Sequence, residues 1–200
     1  MVDAGIGRLL VASLHQGIAD AIPLRLEFYE HWLTPLGLRE GRVGLAPLHA
    51  VLSFLRQEGR TVYDDVMEHA GRHAADWAHA ELGVGARALT SMLPPRLRAR
   101  YALGLCRRLV RATFHPSVAR VRLSGSEGTL SISASVFCGL REAAHWPMCR
   151  FYAAAVERHL ELTQVPAVVT VTGCRAEGGD QCLLHVHIGR SRPVTSAEAA

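Results

Sequence analysis

The 200-residue chain contains no lysine, because all 22 of its basic residues are arginine. This absence excludes Schiff-base enzymes, pyridoxal-phosphate enzymes and P-loop nucleotidases, since each needs a lysine at its reacting centre. No Gly-x-Gly-x-x-Gly sequence follows a predicted strand, and no Gly-x-Ser-x-Gly elbow is present. The sequence therefore offers no nicotinamide, flavin or pyridoxal-phosphate motif, and an enzymatic activity is the less favoured interpretation.

Acidic residues are missing from one long stretch. Between Leu82 and Ser126 there is no Asp or Glu, whereas nine arginines fall there. A basic region of this kind attracts anions. On the predicted helix of this stretch, four arginines project on one side of the axis: Arg96, Arg100, Arg107 and Arg111. They either bind the phosphates or carboxylates of a ligand or form a solvated face. Aromatic residues are only 6% of the chain, and Tyr101 and Phe114 alone lie near these arginines, so nucleic-acid binding is not expected.

Long apolar runs are also lacking. No segment approaches the roughly 20 apolar residues that cross a bilayer, and the N-terminus does not resemble a secretory signal. We expect a cytoplasmic protein with no membrane span. In a reducing compartment its five cysteines are expected to be free, packed in the core or bound to metal. Cys106, on the apolar side of an amphipathic helix, is interpreted as a core residue.

The apolar periodicity changes along the chain from helical to alternating. It predicts helices over 6–19, 23–33, 47–57, 61–82, 94–114 and 147–162, a loop over 34–45, and two hairpins with strands 118–123 and 130–137, then 167–174 and 181–188. Thr61 is the predicted cap of the fourth helix. The predicted class is α+β, with helices packed on one side of an antiparallel β-sheet. We expect one domain over 45–188, an N-terminal helical extension of it over 1–44, and a disordered tail over 189–200.

The strongest local feature is a pair of cysteines around a glycine-rich turn. Cys174 and Cys182 meet at the open end of the second predicted hairpin, and Gly173 allows the bulge that aims Cys174 toward its partner. Cys149, on the buried stripe of the preceding helix, can supply a third sulfur, and Cys138 a fourth. Thiolates in this arrangement suit zinc. A reactive dithiol or inert packing in the core are the alternatives.

Two further groups of histidines lie on predicted elements, one on the fourth helix and one on the last strand. Asp65, His69, His73 and Asp76 follow one face of the predicted fourth helix at a spacing that can bind zinc or iron, although a structural role on that half-exposed face is favoured. His185 and His187 alternate on the last strand and face away from Cys182. They are interpreted as surface or interface residues.

The C-terminal third resembles the 4-vinyl reductase domain family. The resemblance rests on Pro147-Met-Cys-Arg-Phe-Tyr, in which a cysteine opens a helix, and on Cys174-Arg-Ala-Glu-Gly-Gly-Asp-Gln-Cys182 before an apolar strand. Less specific similarity, to the bacteriochlorophyll-synthesis branch, lies in Gly71-Arg-His-Ala-Ala-Asp-Trp and Leu93-Pro-Pro-Arg. The resemblance covers roughly residues 45–188.

This resemblance implies a fold shared with TRAPP small subunits and with phenol-responsive sensor domains. It implies an apolar pocket for a small molecule, such as a hydrocarbon or a tetrapyrrole, and frequent homodimers. Some members of the family bind zinc through three cysteines and a glutamate three residues before the penultimate cysteine. That position is Val171 here, which leaves Cys149, Cys174 and Cys182 matched. A carrier or sensor is the leading hypothesis; the alternatives are a bacteriochlorophyll-pathway 4-vinyl reductase and a ligand-free, dimeric interaction module.

Overall fold

The computed structural model describes residues 5–33, 44–139 and 144–189. Its helices are α1 (Arg8–Ala21), α2 (Leu26–Glu30), α3 (Leu45–Gln57), α4 (Arg60–Ala80), α5 (Val84–Met92), α6 (Pro95–Thr113) and α7 (Arg150–Leu162). Its strands are β1 (Val118–Ser124), β2 (Glu127–Ser133), β3 (Ala167–Gly173) and β4 (Cys182–Ile188). Short 3-10 turns cover Pro23–Arg25, Val136–Cys138 and Arg175–Glu177. The loop predicted over 34–45 and the tail predicted over 189–200 lie almost wholly outside the described residues.

The four strands form one antiparallel sheet in the order β1-β2-β4-β3. Alternation along the central strands separates two faces, because successive side chains of a strand point in opposite directions. Leu130 pairs with Leu184 on the inner face, and both are fully buried against the helices. On the outer face Glu127 pairs with His187 and stays accessible within the described chain. The predicted α+β class, with helices on one side of the sheet, is therefore confirmed.

Helix α4 lies between α1 and α7 and approaches both closely. Gly17 of α1 lies against the Val66 carbonyl and Ala70, and Gly71 of α4 lies against the Phe151 carbonyl and Ala154. A Cβ at Gly71 would stand well inside van der Waals contact with that carbonyl oxygen. Glycine at this position lets the two helix backbones approach to a distance that no side chain permits.

Several local predictions need correction. Thr61 does not cap α4: the helix begins one residue earlier, after Gly59, whose φ of 103° favours glycine. The helix predicted over 23–33 starts as a 3-10 turn before α2. Strand β2 ends at Ser133, and Phe137 packs in the following 3-10 turn, not in the strand. Helix α5 has no counterpart in the sequence prediction. Cys106 is buried in the core, as expected.

Among the described helices, none combines the length and apolar character that crossing a bilayer requires.

One histidine in the core makes stability depend on pH. His159 of α7 is fully buried, and neither ring nitrogen has a hydrogen-bond partner among the described residues. Burial lowers the pKa of its imidazole to about 4, and the nearby His79 acts in the same direction. Between about pH 6.5 and pH 4 the unfolded chain binds a proton here and the folded chain does not. The contribution of His159 to the free energy of unfolding is therefore fully present above pH 6.5 and is lost as the pH falls from 6.5 to about 4.

We expect His159→Leu to flatten this dependence. The unmodified protein should lose about 3 kcal/mol more of its free energy of unfolding between pH 6.5 and pH 4 than the variant loses. Urea denaturation at several pH values measures the difference. His115→Leu, at an exposed position, is the matched control and should keep the slope of the unmodified protein. Equal slopes for His159→Leu and the unmodified protein would contradict the assignment.

Candidate metal centre and ligand groove

Four cysteines from four separate segments meet at one end of the sheet. Cys138 ends the 3-10 turn after β2, Cys149 caps the N-terminus of α7, Cys174 follows β3, and Cys182 opens β4. All five cysteines of the chain are free thiols, and these four have sulfur atoms within 4.8 Å of one another. Cys149, Cys174 and Cys182 are buried, whereas Cys138 is half-buried. We call this group the four-cysteine cluster.

The spacing of the sulfur atoms approaches that of a tetrahedral metal site. Sγ of Cys138 lies 3.4 Å from Sγ of each of the other three cysteines, and the Cys149–Cys174 distance is 3.8 Å. A tetrahedron with metal–sulfur bonds of about 2.3 Å has edges of about 3.8 Å. Cys149 and Cys182 are closer, at 2.8 Å, and this edge would lengthen by about 1 Å in such a tetrahedron.

Backbone hydrogen bonds hold Cys174 in this position. The N–H groups of Glu177 and Gly179 donate to its carbonyl, which closes the turn, and the register of the β3–β4 pair shifts between Val171 and Gly173, as the predicted bulge requires. The Met148 N–H donates to Sγ of Cys174 at 3.3 Å. Such a bond orients a thiolate ligand from outside the metal shell.

Tyr63 of α4 fixes Met148 in turn. Its hydroxyl donates to the Met148 carbonyl at 3.0 Å. Burial raises the pKa of this phenol well above its ordinary value, so the hydroxyl stays a donor. The cluster is therefore anchored to the helical layer as well as to the hairpin.

The cluster favours ionised sulfur at two positions. Hydrogen bonds from Cys138, Cys149 and Cys182, together with the Met148 N–H, hold the pKa of Cys174 far below its usual range. Hydrogen bonds from Cys138 and Cys149 likewise lower the pKa of Cys182. Thiolate is the form that binds metal. Four sulfur ligands, three of them buried, are the donor set of a closed structural zinc site.

The fourth position of the cluster differs from the ligand set that the resemblance to the 4-vinyl reductase family implies. Val171, where some members of the 4-vinyl reductase family carry a glutamate, lies half-buried in β3 and offers no ligand atom. Cys138 occupies the corner instead. The structure thus brings together all four cysteines that the sequence singled out.

A second feature is a groove between α6 and the edge strand β1. Its volume is about 490 Å³, within the range of small-molecule sites. Arginine side chains form one wall: Arg100, Arg107, Arg108 and Arg111. None of them forms an ion pair with a carboxylate of the described residues. Tyr101, Leu105, Val118 and Ala119 supply apolar surface.

The groove only partly matches the arginine row predicted from the sequence. Arg96 lies one turn before its wall and does not line it, because β1 faces the later turns of α6. Arg108 lies outside the predicted row and does line the groove. Arg108 becomes part of the groove because β1 packs against α6, and helical spacing alone does not predict that packing.

His69 and His73 lie away from both features. His69 Nδ1 donates to the Asp65 carbonyl at 2.9 Å, and His73 Nε2 contacts the Asp20 carboxylate at 2.6 Å. Asp76 pairs with Arg158. Within the described residues these side chains do not gather around a common point, and the favoured structural interpretation of this face agrees with their contacts.

Comparison with known proteins places the fold. No family model matches the sequence, and no curated protein matches it. The structure is similar to an H-NOX protein from S. oneidensis in its Fe(II)NO ligation state, with a TM-score of 0.58, 12% identity, and coverage of 92% of this chain and 100% of that chain. The NMR structure of the H-NOX domain from Shewanella oneidensis in the Fe(II)CO ligation state has a TM-score of 0.55 and 12% identity. That match covers 93% of this chain and 99% of the H-NOX chain.

A third similar structure is the phenol-responsive sensory domain of the transcription activator PoxR with phenol. It has a TM-score of 0.49 and 14% identity, and the match covers 72% of this chain and 74% of that one. At such identities the likeness to H-NOX shows a shared fold and no more. The two H-NOX structures share the α+β fold of this chain, while assignment to the 4-vinyl reductase family stays a prediction.

Proposed function

We propose that this chain is a small-molecule-binding domain, a sensor or carrier, that takes an anionic amphiphile in the groove between α6 and β1. A hydrocarbon or tetrapyrrole body bearing carboxylates is the ligand class that fits. The groove carries the proposal, because it joins apolar walls to four arginines without carboxylate partners among the described residues. Guanidinium groups bind carboxylates through paired hydrogen bonds.

The groove favours recognition through carboxylates and not through a bound metal. Histidine, cysteine and methionine are common axial ligands of haem iron. None of the three occurs among the described residues that line the groove. Among the described lining residues, Tyr101 is the one whose side-chain type is a known axial ligand of haem iron. We therefore expect affinity to depend on the charged substituents of a tetrapyrrole more than on its central metal.

The same proposal assigns zinc to the four-cysteine cluster. Cys138, Cys149, Cys174 and Cys182 would hold the ion, and a closed four-thiolate site supplies stability without an open position for chemistry. The zinc would fasten the β3–β4 hairpin to the start of α7. The homodimer implied by the family resemblance stays a prediction, which sedimentation equilibrium would test.

Binding of a porphyrin dicarboxylate tests the groove. We expect saturable quenching of intrinsic fluorescence, and affinity at least about tenfold lower for the Arg107→Gln/Arg111→Gln double variant, since charge-assisted hydrogen bonds contribute about 1.5–3 kcal/mol each before solvent screening. The affinity should fall as ionic strength rises.

The controls separate groove binding from general attraction to a basic protein. Arg96→Gln/Arg120→Gln removes the same charge at exposed positions outside the groove and should bind as the unmodified protein does. The dimethyl ester of the same porphyrin should bind weakly. Equal affinity of both double variants, or of acid and ester, would overturn the proposal.

A further inference from the structure

We infer a second metal site on the outer face of the sheet, formed by Glu127, His185 and His187. Two imidazoles and one carboxylate form a donor set for divalent transition metals such as zinc, nickel, copper, cobalt and iron. This site is separate from the four-cysteine cluster, both in the face of the sheet that carries it and in the chemistry of its ligands.

Strand geometry brings the three side chains together. His185 and His187 are two residues apart on β4, so both point to the outer face. Glu127 of β2 is directly opposite His187 in the antiparallel register. The two imidazoles retain about a third of their side-chain exposure or less, and Glu127 retains half. The site is therefore held by two paired strands and is open to solvent on one side.

One carboxylate oxygen of Glu127 contacts a nitrogen of both imidazole rings. Oε2 of Glu127 lies 3.3 Å from Nε2 of His185 and 2.9 Å from Nδ1 of His187. Ligand atoms bonded at about 2.1 Å to one metal lie about 3.0 Å apart at adjacent octahedral positions and about 3.4 Å apart in a tetrahedron. Both distances lie close to this range, so each ring nitrogen is already spaced from the carboxylate oxygen as two ligands of one ion would be.

The contact between the rings defines the movement that binding requires. Nδ1 of His185 and Nε2 of His187 lie 3.0 Å apart, with the ring planes nearly perpendicular. One of these nitrogens donates to the other in the metal-free triad. When Nε2 of His185 and Nδ1 of His187 bind the metal, the other nitrogen of each neutral ring carries a proton. Two N–H groups would then face each other, so one ring must rotate about χ2. A metal held by three protein atoms keeps further coordination positions for water or an exogenous ligand.

Titration with Co²⁺ tests the site on full-length protein purified without a polyhistidine tag and with its four-cysteine cluster loaded with zinc. We expect one further equivalent of Co²⁺ to bind, with weak d–d absorption and without the intense sulfur-to-cobalt charge-transfer bands of a thiolate site. Affinity should fall at least tenfold in His185→Gln and in His187→Gln, and several-fold in Glu127→Gln.

The controls keep the two proposed sites distinguishable. His69→Gln, a variant of an exposed histidine on α4, should bind Co²⁺ as the unmodified protein does. If the protein carries no zinc, Co²⁺ in the four-cysteine cluster shows intense sulfur-to-cobalt charge-transfer bands and Co²⁺ in the triad does not, so the same titration still reports on the triad. Absence of a second equivalent at millimolar Co²⁺, or binding that persists unchanged in all three triad variants, would overturn the inference.

Discussion

Cys149→Ser and Cys182→Ser should each abolish zinc binding and lower the free energy of unfolding by about 4 kcal/mol or more. The binding free energy of a structural zinc ion adds directly to folding stability, because the unfolded chain does not hold a preformed site. Both cysteines are fully buried, and their sulfur atoms lie 2.8 Å apart. A single serine thus leaves three thiolates without a tetrahedral partner.

Elemental analysis and chemical denaturation, with and without a strong chelator, measure this effect. The unmodified protein should contain about one equivalent of zinc and lose stability when the chelator removes it. Cys106→Ala is the matched control, since Cys106 is equally buried but lies outside the cluster. It should retain zinc and its response to the chelator. The assignment would be contradicted if the unmodified protein contained no zinc and its free energy of unfolding did not change with the chelator.

Gly71→Ala should destabilise the protein by about 3 kcal/mol, the upper end of the usual effect of overpacking a core. The new methyl group would collide with the Phe151 carbonyl oxygen, and a backbone atom inside a helix cannot rotate away as a side chain can. Relief requires α4 and α7 to separate, which would weaken the hydrogen bond from Tyr63 to the Met148 carbonyl and so the support of the four-cysteine cluster.

Gly85→Ala is the control for this prediction. Gly85 is also in a helix, α5, and a Cβ there would meet nothing within 4 Å. Alanine should be neutral or stabilise the chain by up to about 1 kcal/mol, because it has the higher helix propensity. Thermal unfolding of the two variants gives the comparison. A Gly71→Ala protein as stable as Gly85→Ala would show that the helices are not packed as closely as described.

The cysteine positions illustrate how far local pattern extends. A helical stripe predicts that Cys149 faces the core, and a glycine-rich turn predicts that Cys174 and Cys182 meet, because both signals act over no more than twelve residues. Cys138 follows a strand whose predicted end was wrong by several residues, yet it belongs to the cluster. Its place depends on the 3-10 turn and on the pairing of β2 with β4.

The outer triad and the groove depend on contacts between distant segments. Alternation showed that His185 and His187 face away from Cys182, but Glu127 joins them only through the register between the two hairpins. Arg108 enters the groove through the docking of β1 on α6. Neither contact leaves a periodic trace in the sequence, since each results from packing between elements that are far apart in the chain.

Strand β4 carries sulfur toward the core at Cys182 and imidazoles outward at His185 and His187. A slip of one residue in its pairing would reverse every one of these directions. The Cys182 thiol would then face solvent, and the two imidazole rings would enter the apolar layer. The side chains on both faces of β4 therefore disfavour the shifted register. The residues that could bind metals also select the correct hydrogen-bonding register while the sheet assembles.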